Sequence, residues 1–520
     1  MTKKFYITTP IYYVNDVPHI GHAYTTIAAD VLARYRRLQG YEVFFLTGTD
    51  EHGQKIQAAA QAKGEQPIEL AQRMSRHFSQ LWERLGISND DFIRTTQTRH
   101  IEAVQTLFKT LYDKGDIYLG VYEDWYCVPD ETFWTESQLG EDKKCPECGR
   151  PTVRIKEENY FFRLSRYQQP LLDYIEANPD FILPRSRRNE VLSFIRGGLR
   201  DLSITRQYNV VQWGIPVPPE VEPATDNRQP VTHTIYVWLD ALTNYLTAAG
   251  YPNDNERLQK FWPADVHLMS KDILRFHAVY WPAFLLSAGL PLPKKVVVHG
   301  WWTVEGRKMS KSLGNAIDPH SLIDLYGVDA LRYFLLREAP FGGDGDFSQR
   351  ALIDRINRDL ANDLGNLLQR TLSMVNKYYQ GVIPSPGAEL PTDTVLSGTA
   401  GRILAETDGL LNELAFGKQL INIWELINQA NRYIAEQEPW TLFKNANLER
   451  LSRVLYSILE VLKITVILIY PFMPTTAEEI WRQLGIKDSP ADQTLEFVWG
   501  GLKPGARINQ GRALFKKIEG

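Results

Sequence analysis

Residues 10–22 read Pro10-Ile11-Tyr12-Tyr13-Val14-Asn15-Asp16-Val17-Pro18-His19-Ile20-Gly21-His22, and the fold depends on this stretch. A β-rich run precedes it at residues 5–9, and apolar residues then recur with a period of about 3.6 up to Leu38. The pattern predicts a strand that gives way to a helix at His19 and His22. Because the first turn of a helix presents unpaired backbone N–H groups, this junction suits a phosphate.

The side chains of this stretch suit the same ligand. A neutral imidazole can donate a hydrogen bond to a phosphate oxygen. Gly21 leaves out a side chain where a phosphate or a flat ring could lie against the backbone. Histidines at the start of a helix are also common on protein surfaces, so a catalytic and a surface interpretation both stay open.

A second strand, predicted at residues 41–46, ends in Thr47-Gly48-Thr49-Asp50-Glu51-His52-Gly53. A β-α-β unit with a nearly continuous apolar strand is typical of a parallel sheet covered on both faces, as in Rossmann-type α/β folds. Ligands bind outside the carboxyl ends of such strands. There Asp50 could bind an ammonium group or cap a helix. The sheet is predicted to resume with a strand and helix start at 235–242, and with strands at 266–270 and 296–299.

A basic turn follows the last of these strands. Lys308-Met309-Ser310-Lys311-Ser312 brings two ammonium groups, three residues apart, next to hydroxyls. Most turns of this kind are solvated surface. The histidine and lysine motifs in this order, on a Rossmann-like pattern, resemble the paired signature of the class I aminoacyl-tRNA synthetases.

All three cysteines fall in a segment of short strands and turns. Cys145-Pro146-Glu147-Cys148-Gly149 is a knuckle of the kind that bends backbone around zinc, and Cys127-Val128-Pro129-Asp130 is the other limb. The spacing predicts a closed, structural Zn²⁺ site with the ligands Cys127, Asp130, Cys145 and Cys148. A redox role for the C-x-x-C pair is the alternative, but it requires a strand-to-helix junction, whereas the flanking residues indicate a ribbon.

Composition indicates a soluble globular protein of several domains, with 520 residues, 44% hydrophobic and 23% charged. The net charge of −4 means that an RNA partner would have to meet a local basic surface. Uncharged apolar runs stay shorter than about 18 residues, and the N-terminus lacks a signal-peptide core. Because three cysteines in such a length indicate a reducing compartment, we expect a cytoplasmic location without membrane contact.

The last third of the chain has helical periodicity at about 350–379, 396–415, 417–436, 448–469 and 475–484, which predicts an α-helical bundle. We therefore expect an α/β Rossmann-type catalytic domain with an inserted zinc-ribbon lobe, followed by this bundle. The predicted boundaries are 1–115 for the first half of the catalytic domain, 116–230 for the connective insertion, 231–300 for the second half, 301–347 for the lysine-loop region and 348–520 for the helical domain.

Three motifs occur together in this chain: Thr49-Asp50-Glu51-His52-Gly53, Val237-Trp238-Leu239-Asp240-Ala241-Leu242 and the lysine turn. Over essentially its whole length the chain resembles the bacterial methionyl-tRNA synthetases. The resemblance implies ATP-dependent formation of methionyl-adenylate, then transfer to the 3′-terminal ribose of the tRNA. ATP with Mg²⁺, L-methionine and methionine tRNA would be the partners.

The resemblance also assigns residues. His19, His22, Lys308 and Lys311 would be catalytic, with the lysines closing over the leaving pyrophosphate, and Gly21, Asp272, Ser310 and Ser312 would bind ATP. Asp50 would bind the methionine ammonium in a pocket lined by Ile11, Tyr13, Trp238, Ala241, Tyr245, Ile273 and His277. On the helical domain, which would bind the anticodon, the reading positions would be Asn366, Arg370 and Trp440.

The sequence departs from the family's pattern in two respects. Asp130 stands where relatives often have cysteine or histidine, which bears on metal affinity. The chain also carries no appended C-terminal tRNA-binding domain of the kind that dimerises some members, so we expect a monomer.

Other activities fit the sequence less well. Synthetases for leucine, isoleucine or valine usually carry a large editing insertion, and residues 116–230 are too short for one. A cysteine enzyme needs an open zinc position to bind its substrate thiolate. A non-catalytic RNA-binding paralogue would not need both histidines and both lysines. A dinucleotide-binding Rossmann protein is disfavoured because no G-x-G-x-x-G follows the first strand.

Overall fold

The computed structural model describes residues 3–146, 148–221, 232–308, 317–509 and 511–519, without the side chains of Tyr122, Ser137 and Lys308. Its strands are β1 (Lys4–Tyr13), β2 (Glu42–Asp50), β3 (Asp91–Arg94), β4 (Ile117–Cys127), β5 (Thr132–Trp134), β6 (Val153–Phe162), β7 (Ile182–Leu183), β8 (Leu202–Ser203), β9 (Thr205–Gln207), β10 (His233–Ile235), β11 (Val266–Ser270), β12 (Val296–His299), β13 (Trp302–Val304), β14 (Arg307–Lys308) and β15 (Gly345–Phe347).

The α-helices alternate with these strands and then follow them. They are α1 (Ile20–Leu38), α2 (Gln54–Lys63), α3 (Pro67–Leu85), α4 (Thr98–Asp113), α5 (Gln168–Ala177), α6 (Arg185–Arg196), α7 (Val237–Ala249), α8 (Asn255–Phe261), α9 (Trp281–Ala288), α10 (Pro319–Tyr326), α11 (Val328–Arg337), α12 (Gln349–Arg355), α13 (Asn366–Tyr379), α14 (Pro391–Asn412), α15 (Phe416–Gln437), α16 (Pro439–Lys444), α17 (Leu448–Ile469) and α18 (Pro474–Gln483). Wider π-helical turns span Phe276–Tyr280 and Ile356–Gly365.

A parallel sheet with the strand order β3-β2-β1-β11-β12-β7 is the centre of the catalytic half. The chain winds outward from β1 in one direction and from β11 in the other, so the carboxyl ends of these two strands border a topological switch point. Ligands bind at such a crevice. Tyr13 pairs with Asp50 at the end of β1 and β2, and Ser270 pairs with His299 at the end of β11 and β12.

The sheet is buried on both faces, which explains its continuous apolar strands. Successive strand residues point to opposite faces, and Ile7 and Phe45 join a core with α1 and α3, whereas Tyr6 and Phe44 join a core with α4 and α7. Burying a large apolar side chain stabilises the fold by about 1.5–3 kcal/mol. The predicted Rossmann-type sheet is therefore confirmed.

The prediction for residues 235–242 was partly wrong. Residues 233–235 do form a strand, but it pairs antiparallel with β9 in a separate two-stranded sheet, and α7 begins at Val237. The sixth strand of the parallel sheet is β7, from within the predicted insertion. Strands of two or three residues are too short to show a period, so only long-range pairing identifies their sheet.

The connective lobe is a ribbon, as predicted. β4 and β6 pair antiparallel from Ile117 opposite Phe162 to Tyr126 opposite Val153, and β5 and β8 flank them. Past β15 the chain is helical, and the predicted bundle is confirmed. α12, the π-helical turn and α13 run on without a break from Gln349 to Tyr379.

The bundle packs directly on the catalytic half. The buried Arg332 of α11 donates to Asp30 of α1 at 2.7 Å and to the carbonyl oxygen of Phe472 beyond α17 at 2.8 Å. In the described part of the chain, no helix combines the length and apolar character needed to cross a membrane.

Candidate active site

The histidine stretch starts α1 with a reciprocal cap. His19 is the N-cap residue, its Nδ1 accepts from the Gly21 N–H at 3.0 Å, and the His22 Nδ1 accepts from the His19 N–H at 3.1 Å. The two rings stack with centroids 3.8 Å apart. Because a neutral imidazole carries hydrogen on only one nitrogen, accepting at Nδ1 assigns the hydrogen to Nε2. Both rings are therefore in the tautomer that donates through Nε2.

Gly21 has a local reason to be glycine. A Cβ at this position would lie 2.8 Å from Cε1 of His19, too close for the ring to fold back onto the cap. The glycine thus allows the arrangement of His19. The predicted role of Gly21 in binding ATP stays a prediction.

Asp50 lies at the carboxyl end of β2 and is buried, and its Oδ1 has no hydrogen-bond partner among the described residues. Burial, together with the charges of Asp240 and Glu131, raises the pKa of Asp50 well above its usual value. A buried carboxylate oxygen without a partner is costly. A bound cation would relieve that cost and return the carboxylate to its ionised form.

Beside this edge the structure brings together several residues predicted for the methionine pocket. Tyr245 Oη lies 2.8 Å from His277 Nε2, and His277 Nδ1 lies 3.0 Å from the Ile273 carbonyl oxygen. Since only Nδ1 can donate to that carbonyl, Nε2 accepts from the tyrosine. Burial lowers the pKa of His277 to about 4, which keeps the ring neutral.

The remaining pocket residues lie on the same side of the sheet. Trp238 stacks on Phe276 at 3.6 Å and meets His277 edge-on at 6.5 Å. It lies in the first turn of α7. Ile11, Tyr13, Trp238 and Ile273 are partly buried against one core, and Ala241 is buried in α7.

The carboxyl ends of β11 and β12 carry the other predicted ATP residue. Asp272 is exposed in a short turn after β11 and accepts from Trp301 Nε1 at 3.2 Å. The preceding Lys271 is paired with Asp344 at 2.8 Å. Lys308 ends β14 opposite Thr303, whereas Ser310, Lys311 and Ser312 lie outside the described residues.

The predicted metal ligands converge in the connective lobe. One donor atom from each of Cys127, Asp130, Cys145 and Cys148 lies within 4.8 Å of the others. Cys127 Sγ is 3.6 Å from Cys148 Sγ, and Asp130 Oδ2 is 3.6 Å from Cys127 Sγ and 3.1 Å from Cys145 Sγ. Four thiolate and carboxylate donors around a tetrahedral Zn²⁺ lie about 3.5–3.8 Å apart. The cluster therefore fits a metal ion.

Sequence reasoning missed two residues that join this lobe to the sheet. The buried Glu131, next to Asp130, accepts from Tyr13 Oη at 3.1 Å and from the Lys55 N–H at 3.1 Å. Trp213 donates from its indole to the Glu51 carbonyl oxygen, and its own carbonyl accepts from the Gly53 N–H at 3.0 Å. In the sequence, the one signal for a structural role of Glu131 is its position next to the predicted metal ligand Asp130.

The predicted anticodon positions lie on the helical domain. Asn366 is exposed at the start of α13 and Arg370 follows one turn later. Trp440 in α16 is 45% exposed, which is unusual for so large an aromatic side chain. Phe443 of α16 stacks on Tyr378 of α13 at 4.4 Å, so the two helices present neighbouring surfaces.

Comparison with known families defines the class first. The family described as "tRNA synthetases class I (M)" matches residues 5–154 and 149–372, and the one described as "Anticodon binding domain of methionyl tRNA ligase" matches residues 383–520. The parallel sheet is thus that of a class I tRNA synthetase.

Individual relatives narrow the class to one family. The chain is 53% identical to a methionine–tRNA ligase of Caldanaerobacter subterraneus subsp. tengcongensis over 100% of this chain and 80% of that one. It is 50% identical to one of Thermotoga maritima over 99% and 80%. The structure of Mycobacterium tuberculosis methionyl-tRNA synthetase in complex with methionyl-adenylate superimposes with a TM-score of 0.93, at 47% identity over 99% of this chain and 100% of that one. The chain belongs to the methionyl-tRNA synthetase family.

Proposed function

We propose that this chain attaches L-methionine to its tRNA in two steps, through methionyl-adenylate and transfer to the 3′-terminal ribose. The observation that carries the proposal is that Nε2-protonated imidazoles and the buried Asp50, whose Oδ1 has no partner among the described residues, share the carboxyl edge of the parallel sheet. The imidazole N–H donors suit ATP phosphates, and the Asp50 carboxylate suits the ammonium group of an amino acid.

The first step requires positioning and electrostatics more than proton transfer. The methionine carboxylate is ionised at neutral pH and attacks the α-phosphorus without a general base. Charge then grows on the phosphate oxygens, where donors are most effective. His19 and His22 supply N–H donors there. Lys308 and Lys311 are proposed to close over the pyrophosphate, and Mg²⁺ bound with ATP would neutralise part of its charge.

The pocket chemistry fits a thioether side chain. A sulfur atom against an aromatic ring gains about 0.3–1.5 kcal/mol, and Trp238 and Tyr245 offer such rings. His277 is neutral and its Nε2 already accepts from Tyr245, so this ring presents no charge to an apolar side chain. One methylene more or less changes binding by only about 1–3 kcal/mol. Shape and sulfur contacts must therefore exclude leucine together.

An amino-acid screen of ATP–pyrophosphate exchange tests the activity. We expect exchange with methionine and at least about 100-fold less with leucine, isoleucine, valine or cysteine at equal concentration. Exchange driven by one of these amino acids would assign the chain another specificity. A chain that binds tRNA but exchanges with none would be a non-catalytic RNA-binding protein.

We propose that the metal in the connective lobe is a structural Zn²⁺. With Cys127, Asp130, Cys145 and Cys148 as ligands, no coordination position stays open for a substrate. Burial, with the charges of Asp130 and Cys145 nearby, raises the pKa of Cys127 well above its usual value, so a metal ion is what would allow the thiolate. The ion would stabilise the knuckle and leave the chemistry to other residues.

Zinc content and thiol reactivity test this site. We expect about one zinc ion per chain, and slow reaction of the thiols with Ellman's reagent until a chelator removes the metal. Asp130→Cys should bind zinc more tightly and Asp130→Ala more weakly, because thiolate is the softer ligand. Unchanged thiol reactivity after chelation, with no metal in the purified chain, would rule the site out.

Trp440 is proposed to stack on an anticodon base, since unpaired RNA bases are bound by aromatic faces. We expect Trp440→Ala to lower kcat/KM for tRNA charging by about 10–100-fold, from a stacking loss of about 1–3 kcal/mol. ATP–pyrophosphate exchange should change less than about twofold. Trp440→Phe is the matched control, because it keeps a ring. Equal losses in both assays would show that Trp440 acts on the fold instead.

We propose that the chain is cytoplasmic and monomeric, with the domain boundaries predicted from the sequence. The three cysteines support a reducing compartment. Size-exclusion chromatography with light scattering would measure the oligomeric state directly.

A further inference from the structure

A buried cluster of three ionisable side chains lies behind the proposed methionine site. The Asp240 carboxylate lies between two imidazoles, with His52 Nδ1 2.7 Å from Oδ2 and His100 Nε2 2.8 Å from Oδ1. His100 and Asp240 are fully buried, and His52 is 5% exposed. None of these residues takes part in the chemistry proposed above.

The hydrogen bonds of His100 indicate its charge. Its Nε2 faces a carboxylate oxygen and must donate. Its Nδ1 lies 3.1 Å from Thr247 Oγ1, and that hydroxyl donates to the Thr243 carbonyl oxygen at 3.1 Å, the usual acceptor for a threonine in a helix. The hydroxyl has a single hydrogen, so with that hydrogen on the Thr243 carbonyl, Oγ1 accepts from His100 Nδ1. A ring that donates from both nitrogens is an imidazolium.

The cluster is coupled to Asp50 through the chain and through space. His52 is two residues beyond Asp50, and its backbone N–H faces the Asp50 carboxylate and favours the ionised form. Asp240 opposes that form, since its charge is among the causes that raise the pKa of Asp50. Two buried carboxylates that repel each other would not both ionise without a compensating positive charge.

Other acidic groups around Asp50 have partners of their own. Glu51 accepts from Arg94 at 2.6 and 2.9 Å, and Glu131 accepts from the Tyr13 hydroxyl and the Lys55 N–H. Asp240 is therefore the acidic group whose compensation depends on the two histidines. Burial alone would raise the pKa of Asp240, but His52 and His100 bring it below its usual value.

We propose that His100 is an imidazolium that cancels the charge of Asp240, and that this cancellation lets Asp50 ionise and bind the ammonium group of the substrate. His100, Asp240 and, through Asp240, His52 are thus positioning residues. The inference rests on the proposed methionine site and adds the groups that set its charge.

The pH dependence of kcat/KM for methionine in ATP–pyrophosphate exchange tests the inference. In the unsubstituted chain we expect kcat/KM to fall at low pH, because Asp50 takes a proton there and methionine binding is lost. This falling part of the profile is the acid limb. His100→Gln keeps a donor but removes the positive charge, so the limb should move up by about one pH unit. KM for methionine at the wild-type midpoint should rise severalfold, with little change in kcat or in KM for ATP.

Companion variants separate charge from structure. Asp240→Asn removes the negative charge, so the limb should move to lower pH, and the His100→Gln/Asp240→Asn double variant should return towards the wild type. Thr247→Val removes the acceptor of the Nδ1 hydrogen at nearly constant volume and should move the limb up. Thr247→Ser keeps the hydroxyl and should leave the limb in place.

The outcomes are distinct. Opposite shifts for His100→Gln and Asp240→Asn, with recovery in the double variant, would support the inference. If an active chain showed no shift, or shifts in the same direction without recovery, the cluster would be only structural and the inference would be overturned. A chain with no methionine-dependent exchange at any pH would refute the proposed function and this inference with it.

If the melting temperature shows that His100→Gln does not fold, the comparison of Thr247→Val with Thr247→Ser tests the same inference. An acid limb that moves up in Thr247→Val and stays in place in Thr247→Ser would support it, and equal limbs would overturn it.

Discussion

Replacing Asp50 by asparagine is expected to raise KM for methionine by about 10²–10³-fold in ATP–pyrophosphate exchange, because losing one partner of a buried charge pair costs about 2–5 kcal/mol. Asp50 is buried, its Oδ1 has no partner among the described residues, and it lies where strands β1 and β2 end together. Asparagine has the same shape but no charge, so the ammonium group would be desolvated without compensation.

The effect should be specific to the amino acid. KM for ATP should change less than about twofold, and Glu436→Gln, which removes an exposed carboxylate from α15, serves as the matched control. The melting temperature of Asp50→Asn should be equal to or above that of the wild type, since a buried carboxylate with a raised pKa does not favour folding in its ionised form. Parallel losses for ATP and methionine would instead indicate a general collapse of the sheet edge.

The second large effect is expected at His22. Two substitutions there separate the helix-cap function of the ring from its proposed phosphate contact. The His22 Nδ1 accepts the cap hydrogen bond from the His19 N–H, and its Nε2 carries the hydrogen proposed for a phosphate oxygen. Asparagine places an amide near Nδ1, and glutamine places one near Nε2. His22→Asn should therefore slow adenylate formation by about 10²–10³-fold, as expected for loss of one transition-state donor.

His22→Gln should be the milder change in catalysis and the worse one in stability. It keeps a donor for the phosphate but loses the cap, which costs about 0.5–2 kcal/mol of unfolding free energy. Single-turnover adenylate formation, equilibrium methionine binding and denaturant unfolding measure the three quantities separately. If both variants were equally slow and equally destabilised, the ring would act through the cap alone. Loss of methionine affinity with His22→Asn would contradict a role confined to phosphate.

Prediction from the sequence succeeded where the signal was local. The α1 helix, the first two strands and the bundle follow from periodicity, because a helix or a strand with a buried side must repeat apolar residues at 3.6 or 2 positions. Convergence of the metal ligands also followed, because two short limbs with defined spacing can meet only by folding into a knuckle. The placement of Asp50 and His19 at one edge followed from the parallel arrangement of their strands.

Prediction failed where pairing joins distant parts of the chain. β10 and β7 have three and two residues, so their sheets could not be read from them. Glu131 reaches Tyr13 across 118 positions, and His100 reaches Asp240 across 140. Neither residue type nor spacing in the sequence predicts such long-range contacts.

The amino-acid sequence by itself thus determined the class of fold, the order of its parts and the place of the predicted site residues at one edge of the sheet, because these depend on periodicity, on motif spacing and on which strand ends share an edge. Only the tertiary structure decided the burial and the hydrogen-bond partners on which the charge of those groups depends. Burial and hydrogen-bond partners set the tautomers of His19 and His22 and keep His277 neutral. The proposed charge balance between the carboxylates of Asp50 and Asp240 and the ring of His100 depends on them as well. Folding brings those partners together from segments that are far apart in the chain.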